Sequence, residues 1–174
     1  MSEGNSELGL AQGQVSLSEP TPRWAALFEE EARRLDSSLR SLGAEVEHCG
    51  STSIPGIPAK PILDILIGIP SPLDVASIAS ALARLGYEHA TWAGVPGHEV
   101  FGKGKPRTHL AHVVPLHEPA WERMLGFRDA LRKDASLAAQ YGRLKRQLAA
   151  RYPDDRSAYT DAKARFIERV LDRQ

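Results

Sequence analysis

The sequence predicts an α+β fold: a mixed β-sheet with packed helices, followed by a C-terminal helical segment. Three observations predict it. Short apolar runs at Glu45–Cys49, Pro61–Ile69, Tyr87–Trp92, His98–Gly102 and Thr108–Leu116 are separated by Gly- and Pro-containing loops, the pattern of strands. Apolar residues between Trp24 and Leu39 recur near every 3.6 positions, the pattern of a helix. From Glu118 onward the chain is helical in pattern, so the strands come first and a helical tail follows.

Each element has a local reason. Residues 1–14 are rich in Gly, Ser, Gln and Glu and are expected to form a disordered tail, with a single domain over 15–174. Val15–Ser18 is a candidate edge strand. Thr21-Pro22 marks a helix start, with Thr as N-cap and Pro at the first helical position. Gly43 ends that helix. Glu45–Cys49 is a short strand, and Gly50–Lys60 is a loop with two prolines and two glycines. Pro61–Ile69 is apolar on both faces except at Asp64, which marks a central strand. Ser71-Pro72-Leu73-Asp74 opens a second helix and Gly86 closes it. Helices are predicted over 118–132, 135–151 and 156–172, with Pro153 separating the last two.

Composition narrows the partners. A chain of 174 residues fits one domain. Its 22 basic and 22 acidic side chains cancel, so no net field draws in nucleic acid. The single cysteine, Cys49, cannot form an internal disulfide, which argues for a reducing compartment. The N-terminus lacks the pattern of a signal peptide. The longest apolar run, Pro61–Pro70, is about half a membrane span and contains Asp64. A cytoplasmic location without a membrane partner is therefore expected; the oligomeric state is left open.

The chemistry concentrates between Gly50 and Asp64. Gly50-Ser51-Thr52-Ser53 follows a strand, and small hydroxyl residues with backbone N–H groups can hold phosphate oxygens. The Gly-Lys-Ser/Thr ending of a Walker loop is absent. A turn without a ligand uses the same residues. Asp64 is the sharper sign: a buried carboxylate calls for a cation, a metal or donated hydrogen bonds. The plain alternative is an aspartate capping a neighbouring loop. A Gly-Ser loop followed one strand later by an acid is the opening of a nucleotidyltransferase site, where the loop holds phosphates and carboxylates hold Mg²⁺.

The run His48-Cys49-Gly50-Ser51-Thr52-Ser53-Ile54-Pro55-Gly56-Ile57, with Ala59-Lys60-Pro61-Ile62-Leu63-Asp64-Ile65, closely resembles the GrpB family. The resemblance continues in Leu85-Gly86-Tyr87, Arg107-Thr108-His109, His112-Val113, Phe127–Arg132, Tyr141, Leu144-Lys145 and Tyr159–Lys163, and covers about residues 15–172. It implies a nucleotidyltransferase-like fold. Two departures from a standard nucleotidyltransferase stand out. The second acid, two residues after the first, is here Leu66. The later strand carries histidines instead of a third acid, and Leu110 stands where the family more often has a further histidine.

The resulting expectation is a nucleotidyltransferase-like protein that binds a nucleotide or phosphate ester. Gly50, Ser51, Thr52, Ser53 and Lys60 would hold phosphate. Asp64 would be the catalytic residue and, with His112 and His48, would hold a divalent metal, Mg or Mn or else Zn. Arg107, in the basic Phe101–Arg107 hairpin, could approach the anion or lie in a solvated turn. Tyr141 with Lys145, and Tyr159 with Lys163, are spaced i,i+4 on helix faces, so each lysine either contacts ligand or reaches solvent. His109 and His112, three apart on a strand, face opposite sides. Two alternatives remain: a non-catalytic module for a phosphorylated ligand, favoured by Leu66, and a His/Asp metal-dependent hydrolase.

Overall fold

A computed structural model describes residues 7–71, 75–91 and 97–173. Five strands form one mixed sheet in the order β1-β2-β5-β4-β3. They are β1 (Glu45–Cys49), β2 (Leu63–Ile69), β3 (Tyr87–His89), β4 (Glu99–Lys103) and β5 (His109–Pro115). Only β2 and β5 run parallel; the other pairs are antiparallel. β2 is an interior strand, flanked by β1 and β5, which suits its two-sided apolar pattern.

Alternation divides β2 between two layers. Leu63, Ile65, Ile67 and Ile69 pack with Ala111 and Val113 of β5 under α1 (Arg23–Leu39) and α2 (Val75–Arg84), against Trp24, Phe28, Leu35, Leu39, Ile78 and Leu82. Asp64, Leu66 and Gly68 face the other way. Leu66 is buried there with Cys49 and Val114 under Trp121 of α3 (Pro119–Lys133). Gly68 lets α3 approach: a Cβ on it would lie 2.7 Å from the Trp121 ring. Helix α4 (Ala135–Arg151) and the last helices complete this layer through a cluster of Ile54, Ile57, Leu131, Tyr141, Phe166 and Val170. Asp134 and Asp155 cap their helices by accepting from Leu137 N and Ala158 N at 2.9 Å.

Three expectations are corrected. The part of the tail at residues 8–10 packs on the domain, while residues 11–14 are exposed. Leu8 and Leu10 are buried, Gly9 donates to Pro61 O at 2.8 Å, and Leu10 pairs with Arg107. Two leucines in a polar segment supply the apolar surface that holds it down; residues 1–6 lie outside the described residues. Val15–Ser18 is no strand: Ser18 makes a single bridge to Ala59, while Val15 N donates to Pro153 O. The predicted helix over 156–172 is two, α5 (Arg156–Asp161) and α6 (Ala164–Leu171), with Lys163 at the N-cap of the second. The second helix's predicted opening at Pro72–Asp74, and Trp92, fall outside the described residues. No described helix is long and apolar enough to cross a membrane.

Candidate functional site

The site begins where β1 ends. Cys49 pairs with Asp64, so the chain leaving β1 turns directly over that carboxylate. Gly50 makes the crossing possible. Its φ is +65°, and a Cβ there would lie 2.7 Å from Asp64 Cβ and 2.8 Å from Cγ. Ser51–Ser53 then form a short 3-10 turn. Ser53 Oγ donates to Gly50 O at 2.6 Å, and Thr52 Oγ1 bonds His48 Nε2 at 3.0 Å.

Below the turn lies a cavity of about 340 Å³. Its wall brings together Gly50, Ser51, Thr52, Lys60, Asp64, His112, Lys145 and Lys163. The sheet places Asp64 and, from the parallel neighbour, His112 on the same face; His112 Nε2 lies 3.7 Å from Asp64 Oδ1, an ion-pair distance rather than a hydrogen bond. The helices supply the lysines. Lys145 is only 2% exposed and donates to Pro58 O at 2.6 Å. Lys163 and Lys60 lie over one Tyr159 ring, at 4.3 and 5.5 Å from its centre. Met124, Phe127 and Ile167 form an apolar side of the same cavity.

Electrostatically, one carboxylate faces three ammonium groups. Burial pushes the Asp64 carboxyl up, but His112, Lys60 and Lys163 outweigh it and hold the group below its usual range. Burial, with Lys60 beside it, brings Lys163 down to about 7. Burial likewise holds Lys145 well below the usual lysine range, with Lys163 adding to the effect, and it lowers Lys60. Each of these lysines gains from a bound anion, which would restore its charged form.

Three predicted site residues lie elsewhere. His48 faces α1, because its partner in the β1–β2 register is Ile65, one residue out of phase with Asp64. Its ring stacks on Phe28 at 4.4 Å and its Nε2 bonds Thr52 Oγ1, so it faces away from Asp64 and His112; burial lowers it to about 4. Ser53 is buried with its hydroxyl spent on Gly50. Arg107 lies beside the cavity rather than in it, crossing Gly102 to bond Glu88 at 3.1 Å. His109 faces away from His112, near Tyr87.

His98 was missed as a site residue. It lines the cavity with its ring 5.7 Å from that of His112. Val100 pairs with His112, so alternation carries His98 to the same face. That signal exists only once the β4–β5 register is known. Tyr141 and Tyr159, visible as partners of the lysines, also line the wall. Cys49 is fully buried, and burial together with Asp64 raises its thiol well above the usual range, which keeps it inert.

The donor set decides what metal the site can hold. Among the described residues, no three His, Cys, Asp or Glu side chains gather as metal ligands. Leu66, at the position of the second acid, is fully buried beneath Trp121. A two-ion carboxylate centre therefore does not fit. A single Mg²⁺ held by one carboxylate, with ligand phosphates and water completing its shell, does fit Asp64.

Comparison with known proteins bears on the family and the fold. The chain is 35% identical over 170 residues to the glutamate-rich protein GrpB of Alkalihalophilus pseudofirmus, covering 94% of this chain and 98% of that one. The crystal structure of GrpB from Enterococcus faecalis superposes with a TM-score of 0.81 at 35% identity, over 91% of this chain and 96% of that chain. Cid1, solved with the UTP analogue UMPNPP, superposes with a TM-score of 0.55 at 14% identity, over 83% of this chain and 48% of that chain. The fold is thus α+β and nucleotidyltransferase-like. The family described as GrpB protein matches residues 14–173, and with relatives this similar along nearly their whole length, the chain belongs to the GrpB family.

Proposed function

We propose that the cavity binds a nucleotide or comparable phosphate ester, with the phosphates between the Gly50–Thr52 turn and the lysines. One observation carries this reading: Lys60, Lys145 and Lys163 converge with a single carboxylate in one part-apolar cavity. Three lysines crowded beside one carboxylate gain their full charge only when further negative charge arrives, and ammonium groups in a partly dehydrated site bind phosphate more strongly than they would in water. Met124, Phe127 and Ile167 offer an apolar surface to the rest of the ligand, such as a base. The complex of Cid1 with a UTP analogue makes nucleoside triphosphates the first ligands to test.

Asp64, with His112 beside it, would hold one divalent cation, which when bound supplies positive charge to the phosphate oxygens. The chain's own groups do the rest. The ammonium groups neutralise and orient the phosphates, and Ser51 offers a hydroxyl at the turn. Nucleotidyl transfer to an acceptor is the enzymatic form of this reading. Binding without transfer is the second reading, and the burial of Leu66 in place of an acid favours it.

Thermal unfolding with ATP, CTP, GTP and UTP, with and without Mg²⁺, Mn²⁺ or Zn²⁺, tests the binding step. A nucleotide present at a hundredfold excess over its Kd stabilises by about 2.7 kcal/mol, or roughly 5–10 °C in a chain of this size. The shift is expected to vanish in Lys145→Met/Lys163→Met. No shift with any nucleotide or metal would remove the reading. Label transfer that disappears in Asp64→Ala would then separate enzyme from binding module.

A further inference from the structure

We propose that Arg128 and Arg132 of α3 are positioning residues that hold the Gly50–Ser53 turn in its anion-accepting form, a role that rests on the phosphate-binding reading above. An anion is repelled by carbonyl oxygens and attracted by N–H groups. A turn that receives phosphate must therefore keep its carbonyls committed to other donors. Four carbonyls in and beside this turn are committed in that way. Gly50 O accepts from Ser53 Oγ and Ser53 N, and Ser51 O accepts from Ile54 N. The two carbonyls that bracket the turn are taken by arginines: Arg128 Nη1 donates to His48 O at 2.9 Å, and Arg132 Nε donates to Ser53 O at 2.9 Å.

The two arginines are four residues apart on one face of α3, the spacing that sets two side chains side by side. Neither lines the cavity. Arg128 is buried and further fixed by Glu47 Oε2 and Asp129 Oδ1, each at 2.7 Å, so its fork is oriented before any ligand arrives. Helix α3 thus clasps the turn from behind, while another part of the same helix, Met124 and Phe127, forms the apolar cavity wall.

The test uses the geometry of the Arg132 bond. Its donor is Nε, and the Nε2 of a glutamine stands the same number of bonds from Cα. Arg132→Gln keeps a donor at that point and loses the charge; Arg132→Met loses both. Comparing the two separates the hydrogen bond from the charge. The probe is inorganic tripolyphosphate, measured by calorimetry in the full chain, together with hydrogen exchange at the Ser53 and Ile54 amides and the thermal midpoint. Arg132→Met is expected to weaken tripolyphosphate binding about tenfold, the effect of one hydrogen bond from a charged donor. It should also speed exchange at both amides, while Arg132→Gln stays within about threefold of the parent protein. Equal effects of the two substitutions, or none from either, would overturn the proposal. Should Arg132→Met fail to fold, Arg132→Ala replaces it in the comparison. If the parent protein binds neither tripolyphosphate nor any nucleotide, the phosphate reading itself falls. If binding is lost in Lys145→Met but untouched in Arg132→Met, only the positioning role falls.

Discussion

Gly50 and Asp64 are fourteen residues apart in sequence and in contact in space, and that contact explains both. The strand pairing of Cys49 with Asp64 drives the turn over the carboxylate, and only a residue without Cβ fits at φ +65°. Gly50→Ala is expected to displace Asp64, abolish divalent-cation dependence of nucleotide binding, and lower stability by about 1–3 kcal/mol. Calorimetry with and without Mg²⁺, beside urea unfolding, checks both parts. Lys163 offers a pH test. Burial holds it at about 7, so its ammonium form is present below that pH and declines above it. Affinity for a phosphate ligand should fall by up to about tenfold between roughly pH 6.5 and 8.5, the value of one charge-assisted contact, and Lys163→Met should flatten the profile. A titration by calorimetry across that range reads the slope directly.

At the scale of elements, α3 does two jobs. Its N-terminal half packs Trp121 on Gly68 of β2, and its C-terminal half brings Arg128 and Arg132 to the turn. Gly68→Ala would place a Cβ 2.7 Å from the Trp121 ring and so push α3 off the sheet. Overpacking of this kind costs about 1–3 kcal/mol, and here it should also weaken ligand binding, because the cavity wall moves with the helix. A shift of the denaturation midpoint together with a rise in Kd is the expected pair of observations. Most elements were legible because their signals are local. The two-sided apolar pattern of β2 and the ending glycine Gly43 act within a few residues. The break between α5 and α6 was not legible, because Tyr159, Asp161 and Lys163 suit a continuous helix and the bend at Ala162 carries no glycine or proline.

Across the whole molecule, three histidines with lowered proton affinity limit stability in acid. His48, His98 and His109 are each lowered to about 4, in every case first by burial. The unfolded chain takes up these protons near pH 6.5, the folded chain only near 4. Between those values the unfolded state binds more protons, so stability is full above about pH 6.5 and falls as the pH drops toward 4. His48, stacked on Phe28 and buried, should by itself remove about 2–3 kcal/mol between roughly pH 7 and 4.5, because each tenfold loss of proton affinity on folding is worth about 1.4 kcal/mol. Urea unfolding at those two values should show the loss, and His48→Asn should reduce it.

The amino-acid order alone was enough to locate the sheet strands to within a few residues, to identify the family, and to mark the candidate status of Gly50, Ser51, Thr52, Lys60, Asp64, His112, Lys145 and Lys163. Those signals are alternation, helical spacing and a motif, all contained in short stretches of chain. Which of the candidates meet was decided only in three dimensions. A register fixed by strand pairing turned His48 to the α1 side and brought His98 to the cavity, since one residue of phase reverses the face of a strand. The role of the arginines behind the turn was not legible, although both lie in the Phe127–Arg132 stretch, because their partners are backbone carbonyls about 80 residues away.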